Sequence, residues 1–132
     1  MRKLNRKGFT LVELLAVIVI LAIVVGIALT TVLPTLKKSR QSAFELTAQT
    51  AADYYEKQYQ LYLTMPDETI WKNGFVASGD VDYDRAGLKS TNYNTATYSV
   101  NTDTGRVCVQ LTASTDGEYY DATGTAKSSG CQ

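Results

Sequence analysis

KGFTLVELLAVIVILAIVVGIALTTVL, Lys7 to Leu33, is the stretch that decides how this chain is read. It is an apolar segment near the N-terminus, with a basic patch before it and one acid inside it. No charged residue occurs from Leu14 to Leu36. As a helix that run is about 35 Å long at about 1.5 Å per residue, enough for a bilayer core of roughly 30 Å. A core helix of a soluble protein would show polar positions on a repeating outer face, and this run has almost none. The segment is therefore expected to insert in a membrane.

Three details separate it from an ordinary anchor. Arg2, Lys3, Arg6 and Lys7 precede it, so the positive-inside bias keeps the first residues in the cytoplasm and sends the rest outward. Glu13 lies inside the apolar stretch, where a carboxylate costs a few kcal/mol and is by default a functional group awaiting a partner. Gly8, the small residue a peptidase could accept, stands before the apolar run. A secretory signal peptide carries its small-residue cleavage site after that run.

Lys7-Gly8-Phe9-Thr10-Leu11-Val12-Glu13 resembles the class III leader junction of type IV pilins and pseudopilins, most closely the thin-pilus type. The resemblance implies cleavage between Gly8 and Phe9 by a prepilin peptidase and N-methylation of the new Phe9 amine. It also implies that Glu13 pairs with the amine of a neighbouring subunit during assembly. The motif covers about 25 residues; beyond it the likeness is one of architecture only. The residues allow the Glu13 reading on their own account. An amine at Phe9 lies one turn from Glu13 on the same helix face, and a matched pair in an apolar surround is less costly than either charge alone. The competing reading is a carboxylate that snorkels or stays protonated at the interface. Thin-pilus relatives often carry a helix-perturbing proline near the position of Thr30. Here Gly26 and Pro34 stand instead, and a bent or locally melted zone is expected between them in a filament.

With 132 residues there is room for one small domain and the anchor. The precursor has zero net charge; without the four leader cations, nine of its thirteen basic side chains remain against thirteen acidic ones. That balance argues against a general electrostatic grip on nucleic acid. Lys37, Lys38 and Arg40 read as a membrane-proximal basic cluster. After Pro34 the pattern becomes amphipathic: Phe44, Ala48, Ala51, Tyr55, Tyr59 and Tyr62 or Leu63 recur at spacings of three and four. The helix is expected to continue from the membrane segment for some 50 residues, until Pro66 pushes Met65 out of helical geometry.

Residues 64–94 read as a connecting loop with a short helix at 67–72, anchored by Ile70, Trp71 and Phe75. Asp80, Asp82 and Asp84 resemble the opening of a calcium loop, but Arg85 and Thr91 occupy positions that need glycine and glutamate, so a solvated acidic loop is expected. From Thr95 the period becomes two. Strands are expected at 97–100, 106–112 and 118–122, joined by turns at 101–105 and 114–117. The fold class is α+β: a long N-terminal helix packed on a three- to four-stranded antiparallel sheet, as the pilin resemblance also implies. The domain boundaries read are a leader at 1–8, an apolar membrane or filament-core helix at 9–34, an amphipathic half at 35–63, the loop at 64–94, and the sheet with its tail at 95–132.

Cys108 and Cys131 suit a disulfide in an exported chain, one that would tie down the Gly/Ser-rich tail. Buried free thiols or an unpaired tail thiol remain the alternatives, and some Gram-positive relatives lack a bridge. The chain has no histidine and no phosphate loop, so no catalytic residue, metal or cofactor is expected. The expected function is a structural filament subunit supporting adhesion or motility, a homopolymer with identical or related pilins. The family implies an inner-membrane platform protein and an assembly ATPase as its machinery. Its location would be the cytoplasmic membrane as a single-pass precursor, then the cell exterior. The alternatives are a minor pilin or pseudopilin of a secretion or DNA-uptake system, and a membrane-anchored binding domain that never polymerises.

Overall fold

A computed structural model describes residues 10–131. The leader cations, Gly8 and Phe9 lie outside the described residues. Helix α1 (Leu11–Thr64) is followed by strand β1 (Ser78–Asp80), a single helical turn α2 (Tyr83–Ala86), and strands β2 (Tyr93–Val100), β3 (Val107–Ala113) and β4 (Thr125–Lys127). The chain divides between Leu36 and Lys37 into two units.

In the first unit α1 is helical throughout, including Gly26 and Pro34. Pro34 offers no N–H, so one carbonyl of the preceding turn loses its helical donor. The hydroxyls in that zone turn back onto the helix. Thr30 donates to the Ile27 carbonyl at 2.8 Å, Thr31 to Ala28 at 3.1 Å and Thr35 to Thr31 at 2.8 Å. Threonine thereby satisfies its own polar group in a stretch that offers it no other partner.

In the second unit the amphipathic half of α1 packs on the sheet. Phe44, Ala48, Ala51, Ala52, Tyr55 and Tyr59 are buried. They share one core with Ala96, Tyr98 and Val100 of β2, Val107, Val109 and Leu111 of β3, and Ala126 of β4. Alternation along β2 and β3 sends these side chains to one face, as a period of two requires. The three alanines leave room for large aromatics. Tyr55 stacks on Tyr98 with ring centroids 4.2 Å apart, and Phe44 packs against Tyr93 and Tyr119. The expected stripe holds as far as Tyr59; Tyr62 is half-buried against Phe75 and Trp71, and Leu63 is exposed.

Polar ends of the buried aromatics find partners. The Tyr55 hydroxyl accepts from the Asp82 N–H at 2.9 Å, and the Trp71 indole N–H donates to the Tyr98 hydroxyl at 3.3 Å. Burial pushes the Tyr55 phenol up to about 12 and also raises Tyr54, Tyr93 and Tyr119. The folded state thus holds phenolic protons that the unfolded chain releases near its ordinary value of about 10. Their stabilisation is complete below about pH 10 and is lost as pH rises towards 12. The expected result is a thermal midpoint clearly lower at about pH 11 than at about pH 8, with tyrosinate absorbance rising alongside unfolding. Equal midpoints would contradict it.

The sheet is a four-stranded antiparallel meander in the order β1-β2-β3-β4. Three local readings of the sequence need correction. The strand expected at 118–122 is a run of turns, and the strand that pairs with β3 is instead Thr125–Lys127, within the tail. Side chains from elsewhere hold the backbone at Glu118 and at Thr123, on either end of this run. Asn92 accepts from the Glu118 N–H at 3.0 Å, and the Gln41 amide accepts from Thr123 N–H at 2.9 Å and donates to its carbonyl at 3.1 Å. Gly117 lies so close to Asn92 that a Cβ would sit 2.5 Å from its Cα. Next, the stretch read as loop contains β1, which pairs with β2 through Ser78–Ser99 and Asp80–Thr97. Finally, only a 3-10 turn, Pro66–Glu68, forms where a helix was read at 67–72. The Thr69 hydroxyl takes the Pro66 carbonyl and the Trp71 N–H, and the Ile70 N–H goes to the Gln58 side chain, so the helical ladder is not continued.

Candidate assembly site on the N-terminal helix

Glu13 closes the first turn of α1. Its N–H donates to the Thr10 hydroxyl at 3.3 Å, and its carboxylate accepts from the Thr10 N–H at 3.3 Å. This reciprocal pair is a capping box, which satisfies two of the helix's orphan donors and places a negative charge at the positive end of the helix dipole. The T-x-x-E spacing was legible in the sequence as a capping signal; reading Glu13 only as an intermolecular partner overlooked it. A carboxylate has two oxygens and several acceptor sites. The bond from Thr10 engages Oε2 alone and leaves room for a cation from elsewhere.

Around and beyond Glu13 the apolar side chains are uncovered. Leu14, Ile18, Leu21, Val25, Leu29 and Leu33 are each more than half exposed or close to it. The helix is long and apolar enough to cross a membrane. So large an apolar surface is not stable in water and requires lipid or protein around it.

The second sequence-predicted site is the tail. Cys108 and Cys131 are bonded to each other, which resolves the open alternatives. The tail is held by more than the disulfide. Buried Ser128 accepts from the Val109 N–H at 2.9 Å and donates to the Val107 carbonyl at 3.0 Å, so its hydroxyl stands in for a ladder partner beyond the end of β4. Ser128→Ala leaves both groups without a partner. The expected cost is about 1–3 kcal/mol, read as a lower denaturant midpoint at unchanged slope; an unchanged midpoint would contradict it. The acidic alternation resolves differently. Asp82 caps α2 through the Arg85 N–H at 3.2 Å and pairs with the Arg85 guanidinium at 3.4 Å. Among the described residues no group of three or more potential ligands is placed to hold a metal ion.

Residues 3–29 match the family model of the prokaryotic N-terminal methylation motif. No curated protein and no solved structure shows significant similarity to the chain. The matched segment is the leader and the apolar helix. With a long helix packed on an antiparallel sheet as well, the chain is similar to class III leader proteins of the type IV pilin-like kind. The motif implies processing by a prepilin peptidase and assembly with related subunits.

Proposed function

We propose that the chain is a structural subunit of a type IV pilus-like surface filament supporting adhesion or motility. The observation that carries this reading is the methylation motif leading into a capped apolar helix whose side chains are exposed. Residues 1–8 are the leader, removed between Gly8 and Phe9, and the amine of Phe9 is methylated. Residues 9–34 anchor the precursor in the cytoplasmic membrane and then form the filament core, where neighbouring helices replace lipid. Glu13 pairs with the Phe9 amine of an adjacent subunit and so selects the register between them. The helix adjusts between Gly26 and Pro34, where a missing backbone donor and a glycine lower the cost of bending. A platform protein and an assembly ATPase of the inner membrane extract the subunits.

Coexpression with a prepilin peptidase tests the first step. The membrane-bound chain should lose Met1–Gly8 and gain one methyl on Phe9, as read by intact mass and N-terminal fragmentation. A chain that keeps its leader under conditions that process a control prepilin would overturn the assignment.

A further inference from the structure

Lys37 and Lys38 follow directly on the apolar run that ends at Leu36. Both are exposed, and neither forms an ion pair among the described residues. Arg40 is used differently. It donates to Asp121 at 2.9 Å and to the Tyr120 hydroxyl at 2.9 Å, and its guanidinium lies 4.8 Å from the Tyr120 ring centroid. Its charge is thereby matched within the domain, while Tyr120 remains 57% exposed. Glu45, one turn further on, accepts from the Gln41 side chain. The first turn of the folded unit therefore presents two unmatched ammonium groups, with an exposed tyrosine fixed to the same turn by Arg40.

We propose that Lys37, Lys38 and Tyr120 form a collar that binds the phosphate headgroups of anionic phospholipid on the outer face of the membrane. The inference rests on the membrane-anchored, leader-processed reading. The two lysines are the first residues after the apolar run in sequence, which puts their ammonium groups at headgroup level with their stems along the apolar boundary. Tyrosine favours the same layer, ring towards the acyl chains and hydroxyl towards water. Processing reverses the charge asymmetry across the span. The precursor carries Arg2, Lys3, Arg6 and Lys7 on the cytoplasmic side, and cleavage after Gly8 removes all four. The side-chain cations next to the span then lie on the outer side alone, so the collar holds the mature subunit at the leaflet it must leave during assembly.

The full chain is floated with vesicles of phosphatidylcholine alone or mixed with phosphatidylglycerol. It is then labelled with a water-soluble amine-acylating reagent and mapped by mass spectrometry. Lys57, Lys72 and Lys127, on the same domain, serve as references. Labelling of Lys37 and Lys38 should fall roughly fivefold in the anionic vesicles, with the references unchanged. Inorganic phosphate added to phosphatidylcholine vesicles should not reproduce the effect. Equal labelling in the two compositions, or equal protection by inorganic phosphate, overturns the collar while flotation still supports insertion. A chain that floats with neither vesicle overturns the membrane reading and the collar with it.

Discussion

Glu13→Ala is expected to abolish surface filaments while the chain still folds and inserts in the membrane. Within one subunit the substitution removes a capping box at one end of a 54-residue helix, a loss of about 1 kcal/mol that leaves the rest of α1 and the whole sheet domain untouched. Between subunits the consequence is larger. If subunits pair as proposed, a Phe9 amine left unpaired in the apolar core would cost about 3–5 kcal/mol, roughly a hundredfold or more in each subunit addition. Glu13→Gln separates the two roles, because glutamine still completes a capping box but carries no charge. Both variants should be filament-free with unchanged membrane levels and an unchanged melting curve of the sheet domain. Filaments from Glu13→Gln at normal yield would assign the residue to capping alone.

Loss of the Cys108–Cys131 bond should be the most damaging change to the folded domain. The disulfide joins residues 23 positions apart, and opening a loop of that size costs about 3 kcal/mol in the chain-entropy model. In a domain of under 100 residues this is a fall of roughly 10–20 °C in melting temperature. Replacing both cysteines with serine should give the same fall as reduction, since neither leaves a cross-link. The tail would loosen first. Its other attachments include the three-residue strand β4, the Ser128 hydroxyl, the bond from the Ser129 N–H to Gln49, the bond from Arg106 to the Ser129 hydroxyl, and a close approach of Gly130 to Val107. Calorimetry with and without reductant reads the effect directly, and equal melting temperatures would contradict it.

What the sequence made legible follows from how local each signal is. The apolar run, the spacing of Phe44, Ala48, Ala51, Tyr55 and Tyr59, and the alternation of Val107, Val109 and Leu111 are periodic patterns set by one element's geometry, and each reappears in the fold. Ala52, beside Ala51 and one turn after Ala48, is buried with the same stripe. The errors arose where distant side chains decide the backbone. Glu118–Ala122 has the composition of a strand, but Asn92 and Arg40, far away in sequence, take polar groups of Glu118 and Asp121, and Gln41 holds the adjoining Thr123. Conversely, Thr125–Lys127 lies in a stretch that reads as tail, and pairs with β3 next to a segment pinned there by Cys131. At the start of α1 the acid inside the apolar run is plain in the sequence, and its T-x-x-E spacing from Thr10 is the local signal of the capping box that forms there.

The central claim, that this chain polymerises through its processed N-terminal helix, is tested most directly by the intact mass of protein in filaments sheared from the cell surface. The account predicts a mass that begins at a methylated Phe9 and is two hydrogens light for the Cys108–Cys131 bond. Recovery of the chain only from membranes, with Met1–Gly8 still attached, would contradict it.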